Sequence, residues 1–155
     1  MGMSASRAPV TADRLSQLPD DGRRYHVIDA VSFVKSAPSR THQRAQAQLA
    51  VRLFEFANSL GLAVLMPPTA VRPSEKTEVQ PDLIVLPRYA PGREDAPYER
   101  MSDMLLAIEF VSASSDATDR GVKRRLYVPG GVTEYGVVEY GRGESETAVR
   151  RTRGG

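Results

Sequence analysis

The sequence predicts a single α/β (α+β) domain in which helices flank a mixed β-sheet. The chain has 155 residues, which is the length of one domain of ordinary size. Residues 40–60 carry apolar side chains at helical spacing, and residues 104–111 are apolar almost throughout, as in a buried strand. From residue 40 onward the predicted order is helix, three strands, helix and strand, which is typical of a mixed sheet covered by helices.

The two ends of the chain are expected to lie outside this domain. Residues 1–10 are predicted to be a disordered leader, and residues 141–155 a polar tail or an edge strand. Thr11 is a suitable N-cap for a short helix that ends before Pro19. The domain itself is therefore expected to cover residues 11–140.

A β-hairpin is predicted near the start of the domain. Two short strand-like segments, 25–28 and 31–35, are separated by Asp29 and Ala30. Two residues are the right length for a tight hairpin loop, although alanine is a poor residue there because such loops need a positive φ. The pattern predicts two antiparallel strands before the first long helix.

The clearest helix covers residues 40–60, since Ser39 or Thr41 can cap it and Gly61 can end it. The side chain of His42 heads an apolar stripe at helical spacing and is therefore expected to point toward the sheet. A core or capping histidine and a histidine of a functional site are equally good interpretations. The stripe consists of His42, Ala45, Leu49, Leu53, Phe56 and Leu60.

The predicted strand over residues 104–111 contains the most informative residue, Glu109. An ionised carboxylate in a strand covered on both faces is strongly disfavoured without a cation, a hydrogen-bond donor or a metal ion. Taken alone, a structural salt bridge with an arginine explains Glu109 slightly better than a functional site does. Earlier strands are predicted at 62–66 and 82–86, besides a short strand-like segment at 69–72.

Asp82 and Lys123 strengthen the functional interpretation of Glu109. Asp82 follows Pro81 at the start of the neighbouring strand, and two carboxylates on adjacent strands can converge on one divalent cation. Lys123 lies on the next predicted helix, where it could orient a metal-bound water or stabilise a developing charge. The alternatives are a strand-entry turn for Asp82 and a weak surface ion pair between Lys123 and Asp119.

The same helix, predicted to begin near residue 116 and to run to about Tyr127, carries further candidates. Tyr127 lies one turn beyond Lys123 and either supports the same site or belongs to the core. The arginines of this helix could hold phosphates, although a solvated helix face explains most of them. They are Arg120, Arg124 and Arg125.

Composition narrows the chemistry that this chain can perform. The absence of cysteine excludes disulfides, zinc ribbons, iron–sulfur sites and thiol nucleophiles, and two histidines exclude a three-histidine metal site within one chain. Twenty-one basic and nineteen acidic residues leave a net charge of +2, which does not by itself indicate nucleic-acid binding. No apolar run is long enough to span a membrane and no signal peptide is evident, so we expect a soluble, cytoplasmic protein.

Five segments of the chain form a recognisable series: YHVID, SAPSRTHQRAQAQLA, TEVQPDLIVL, IEFVSASSDATDRGVKRRLY and GVTEYGVVE. In this order they resemble the Uma-two family of bacterial restriction endonucleases, which belongs to the PD-(D/E)XK nuclease-like superfamily. The resemblance covers roughly residues 11–140. It implies a restriction-endonuclease-like core of helix, three strands, helix and strand, preceded by a β-hairpin.

The resemblance also implies a set of site residues. The proline–aspartate of the family matches Pro81 and Asp82, its acid on the next strand matches Glu109, its helical lysine matches Lys123, and its histidine matches His42. These matches imply a Mg²⁺- or Mn²⁺-dependent endonuclease that hydrolyses DNA, with Asp82 and Glu109 as metal ligands. Lys123 would position water or stabilise charge, and His42 would support the site. DNA is the implied partner, no membrane is involved, and a homodimer is left open.

Some positions depart from the family pattern. His26 stands where the hairpin usually has a glutamate, and Val111 stands where the superfamily usually has its lysine. Gly136 replaces a usual tryptophan, and the C-terminal tail is short. These departures favour, as the alternative, a catalytically inactive nuclease-fold protein that binds DNA or protein. A hydrolase of another kind has no support from a glycine-rich phosphate loop or a Gly-x-Ser-x-Gly turn.

Overall fold

The computed structural model describes residues 4–19, 21, 23–112, 117–140 and 148–153. These residues form two α-helices and two five-stranded sheets, so the predicted α+β class is confirmed. The helices are α1 (Arg40–Ser59) and α2 (Ala117–Tyr127). The strands are β1 (Ser4–Pro9), β2 (Arg24–Ile28), β3 (Val31–Lys35), β4 (Leu62–Leu65), β5 (Val71–Ser74), β6 (Thr77–Val79), β7 (Leu83–Pro87), β8 (Leu106–Ser112), β9 (Glu134–Tyr140) and β10 (Ala148–Arg153).

The first sheet is built around the predicted hairpin and has the strand order β1-β3-β2-β6-β5. Strands β2 and β3 pair antiparallel, so that Arg24 lies opposite Lys35 at the open end of the hairpin. The loop residues Asp29 and Ala30 have φ angles of 51° and 63°, which a two-residue hairpin loop of this kind requires. The first sheet therefore presents two cationic side chains from neighbouring strands at one end.

The second sheet has the order β10-β9-β8-β7-β4 and places β8 at its centre. Its strands pair antiparallel except for β8 and β9, which run parallel because α2 connects them. Helix α1 covers one face, where Ala50 and Ala57 pack with Leu83 and Phe110. Residues of the first sheet and Tyr127 of α2 pack on the opposite face. The second sheet is thus buried on both sides, as the apolar pattern of residues 104–111 predicts.

The N-terminal leader is the clearest correction to the sequence-based prediction. Ser4–Pro9 forms β1, which pairs with the outer edge of β3, so the expectation of disorder over residues 1–10 is wrong for this segment. Its sequence, SASRAP, gives no strand signal, because the segment is held by backbone pairing with an open sheet edge. Residues 1–3 lie outside the described part of the chain. The predicted short helix after Thr11 is a 3₁₀ helix, Ala12–Gln17.

At the C-terminal end, Ala148–Arg153 forms the edge strand β10 against β9. Residues 141–147 and 154–155 lie outside the described residues, as does the expected start of α2 at residue 116. Helix α1 begins and ends where the sequence predicts, with Ser39 as its N-cap and Gly61 following it at a φ of 71°. Within the described part of the chain, no helix is both long and apolar enough to cross a membrane.

Candidate active site

Asp82 lies at the entrance of β7 and is completely buried. Its Oδ1 accepts a hydrogen bond of 2.6 Å from Arg24 Nη1. Its Oδ2 accepts the backbone N–H of Phe110 at 2.9 Å and lies 3.2 Å from His42 Nε2 and 3.4 Å from Lys35 Nζ. The carboxylate of Asp82 is therefore surrounded by donors from both sheets and from α1.

The surroundings keep the Asp82 carboxyl ionised. Burial alone would raise its pKa, because the charged form is disfavoured away from water. The hydrogen bond with His42 and the charges of Lys35, Lys123 and Arg24 act in the opposite direction and hold the pKa of Asp82 well below its usual range. The buried carboxylate is thus available as an anionic oxygen ligand at neutral pH.

Glu109 lies in the middle of β8 and faces the first sheet, on the side opposite α1. Its Oε1 accepts a hydrogen bond of 2.8 Å from the Tyr127 hydroxyl, and its Oε2 lies 2.6 Å from Lys123 Nζ. Burial and the neighbouring carboxylate raise the pKa of Tyr127 well above its usual value, so the phenol stays protonated and remains a donor. The Glu109 carboxylate is therefore fixed from α2 by two side chains one turn apart.

Lys35 connects the two carboxylates. Its Nζ lies 3.4 Å from Asp82 Oδ2 and 3.8 Å from Glu109 Oε2. The sequence prediction includes neither Lys35 nor Arg24, although lysine occurs at only three positions in the chain. The only sequence signal is that a cationic residue stands just before the first strand of the predicted hairpin and another ends its second strand, which does not distinguish a site residue from a solvated one.

His26 belongs to the same cluster because it lies two residues after Arg24 on β2, and alternate residues of a strand share a face. The ring is completely buried, and its Nδ1 accepts the backbone N–H of Gln80 at 3.2 Å. Burial and the charges of Lys123, Lys35 and Arg24 hold the pKa of His26 well below its usual value. The neutral ring therefore carries its proton on Nε2, an atom with no hydrogen-bond partner among the described residues.

Helix α1 contributes two groups that hold Asp82 in place. Ser39 Oγ caps the helix by accepting the backbone N–H of His42, which fixes the first turn beside the sheet. The His42 ring packs edge-on against Tyr140, with ring centroids 5.5 Å apart, and reaches the Asp82 carboxylate. Gln46, one turn later, donates to the backbone carbonyl of Asp82. His42 thus contacts the site rather than serving only as a core residue.

The structure brings the predicted residues Asp82, Glu109, Lys123 and His42 into one buried cluster. Lys123 is only 3% exposed, so the interpretation of this lysine as part of a surface ion pair is wrong. The side chain of Asp119, its expected partner, lies outside the described residues. The catalytic roles of the four residues stay predictions.

The carboxylates of the cluster fit a hard divalent cation. Asp82 Oδ2 and Glu109 Oε2 both face Lys35 Nζ, and Mg²⁺ binds oxygen ligands while retaining several waters. Over the described ranges, no group of three or more His, Cys, Asp or Glu side chains is arranged to hold a metal ion. Asp82 and Glu109 are therefore the two residues of the cluster that could hold such an ion, beside the Lys35 ammonium.

Comparisons with known proteins agree with this fold. The model of the Uma2 family, described as "Putative restriction endonuclease", matches residues 12–153. The crystal structure of a putative nuclease belonging to DUF820 from Anabaena variabilis ATCC 29413 superposes with a TM-score of 0.71. The two sequences are 17% identical over 91% of this chain and 84% of that chain, and the likeness confirms the predicted restriction-endonuclease-like fold. No curated protein matches the chain.

Proposed function

Because the chain belongs to the Uma2 family, we propose that it is a metal-dependent endonuclease that hydrolyses phosphodiester bonds of DNA. The supporting observation is the convergence of two buried carboxylates, Asp82 and Glu109, on one cationic position. In this proposal both carboxylates hold Mg²⁺ or Mn²⁺. The bound ion would lower the pKa of a water molecule and withdraw negative charge from the phosphate.

The side chains around the two carboxylates have separate tasks. Lys123 brings a positive charge beside Glu109, where it can position the attacking water or stabilise the charge that develops on the phosphate. His42 and Tyr127 are positioning residues, since each holds one carboxylate oxygen in a fixed direction. Arg24 holds the other oxygen of Asp82 and so leaves Oδ2 directed at the site.

DNA as the substrate rests on the description of the family. The exposed side chains of Arg124 and Arg125 on α2 are available for contacts with phosphates near the cluster. A cytoplasmic location is part of the same proposal, since it follows only from DNA as the substrate.

The test is a cleavage assay with plasmid DNA in the presence of Mg²⁺ or Mn²⁺. We expect cleavage by the wild type, and a loss of at least about a hundredfold in Asp82→Asn and in Glu109→Gln, since each removes an anionic ligand. Asp95→Asn is the matched control, because Asp95 is exposed. Circular dichroism verifies that each variant is folded. A folded wild-type protein that neither binds the metal nor cleaves DNA contradicts the proposal.

A second candidate is a catalytically inactive protein of the same fold that binds DNA. The observation that favours it is the neutral His26, which stands where the family usually has a glutamate and brings no charge to the site. This candidate expects DNA binding that is indifferent to Asp82→Asn and Glu109→Gln. Metal-dependent cleavage that disappears in Glu109→Gln rules it out.

A further inference from the structure

Lys35 differs from the other cations of the cluster in how it contacts the carboxylates. Arg24 Nη1 lies 2.6 Å from Asp82 Oδ1, and Lys123 Nζ lies 2.6 Å from Glu109 Oε2. Lys35 contacts both, at 3.4 Å from Asp82 Oδ2 and 3.8 Å from Glu109 Oε2. Its ammonium therefore lies within 3.8 Å of one oxygen of each carboxylate, and these are the two oxygens that the proposed metal ion would bind.

The charge of the cluster makes joint occupancy by Lys35 and a metal ion unfavourable. Among the ionic contacts that the structure describes here, Arg24, Lys35 and Lys123 exceed the two carboxylates by one positive charge. A divalent ion would add two more positive charges in a place where water screens poorly, and it would lie against the Lys35 ammonium. Repulsion between the two cations therefore favours occupancy by one of them at a time.

Lys35 is the cation that can leave. Its side chain is 18% exposed, whereas the side chains of Arg24 and Lys123 are 10% and 4% exposed. It is the last residue of β3, so its Nζ can turn to solvent on a flexible four-carbon stem without a change in the strand. Arg24 and Lys123 remain paired with Asp82 and Glu109 after such a movement.

We propose that Lys35 is a tethered cation that occupies the metal position between Asp82 and Glu109 in the metal-free protein, and that it turns out to solvent when a divalent ion binds. The identity of the two carboxylates as metal ligands rests on the proposed function. In this arrangement the Lys35 ammonium balances the charge of the buried carboxylates in the metal-free protein. A metal ion has to displace the ammonium, and the free energy of that displacement lowers the metal affinity of the protein.

The test measures metal affinity by titration calorimetry with Mn²⁺ in the absence of DNA. Lys35→Met removes the charge and keeps a side chain of similar length, so it should bind Mn²⁺ at least about tenfold more tightly than the wild type. Lys35→Arg keeps the charge and should bind as weakly as the wild type. Lys76→Met is the matched control, since Lys76 is exposed in the turn between β5 and β6. Lys35→Gln replaces the methionine variant if that variant does not fold.

The possible results separate this inference from the proposed function. Tight Mn²⁺ binding by Lys35→Met in a protein that does not cleave DNA supports the inference and contradicts the endonuclease. Metal-dependent cleavage by the wild type, together with an unchanged or weaker affinity in Lys35→Met and Lys35→Gln, supports the endonuclease and overturns the inference. An absence of Mn²⁺ binding in the wild type and in both variants also overturns it.

Discussion

Replacing Tyr127 by phenylalanine removes one hydroxyl from the centre of the site and leaves the packing around it. The ring is completely buried and stacks on Tyr135, with ring centroids 5.1 Å apart, and a phenylalanine ring keeps that contact. The hydroxyl donates to Glu109 Oε1 at 2.8 Å, and Glu109 is itself completely buried. The substitution therefore tests one hydrogen bond to a buried carboxylate.

The expected loss of stability follows from the charge of the acceptor. A hydrogen bond to a charged group contributes about 1.5–3 kcal/mol, and a buried acceptor deprived of its donor is not rescued by bulk water. We expect Tyr127→Phe to lower the free energy of unfolding by about 2 kcal/mol. In a chain of this length each kcal/mol corresponds to roughly 2–4 °C, so the Tm should fall by about 4–8 °C.

Urea denaturation followed by circular dichroism, in a buffer with EDTA, measures this loss. Tyr89→Phe is the matched control, because the Tyr89 side chain is 71% exposed and its variant should stay within about 0.5 kcal/mol of the wild type. In a Glu109→Gln background the effect of Tyr127→Phe should shrink, since the acceptor has lost its charge. A loss in Tyr127→Phe no larger than that in Tyr89→Phe refutes the assigned role of the hydroxyl.

Two further outcomes concern the hairpin. Because the pKa of His26 is held well below 6.5, the unfolded chain takes up a proton that the folded chain excludes, so stability falls as the pH drops below about 6.5. Urea denaturation at several pH values should show that the free energy of unfolding falls with a slope approaching about 1.4 kcal/mol per pH unit, and with a smaller slope in His26→Gln. Equal slopes in the two proteins contradict the assignment. Ala30→Gly should raise the free energy of unfolding by about 0.5–1 kcal/mol, because Ala30 has a φ of 63° that favours glycine. A thermal melt in which the Tm of Ala30→Gly is at or below that of the wild type contradicts this second expectation.

The parts of the site that the sequence could predict are those with a local signal. Glu109 interrupts an apolar run, Asp82 follows a proline at the start of a strand, and Lys123 lies on the helix that leaves the Glu109 strand. The contacts of Arg24 and Lys35 with Asp82 instead depend on how the first sheet packs on the second, joining residues far apart in the chain. No local pattern of charges encodes that packing.

The same reasoning explains which elements of the fold were predicted. Helix α1 and the central strand β8 have strong periodic or apolar patterns, and both were predicted close to their observed bounds. Strand β1 is an edge strand without large apolar side chains, and β6 has only three residues, so neither stands out in the sequence. Their positions are determined by backbone pairing with neighbouring strands, which requires the rest of the sheet to be known.

The division of charges between the sheets has a consequence for how the chain varies through evolution. The hairpin supplies Arg24 and Lys35, and the second sheet supplies Asp82 and Glu109, so the ionic contacts fasten one sheet to the other. Removing Asp82 or Arg24 would leave the other as a buried charge without its closest ionic partner, which is strongly destabilising. Selection for a folded chain alone would therefore preserve these residues. The charged residues would be retained because they hold the two sheets together, in addition to any part that they have in a reaction.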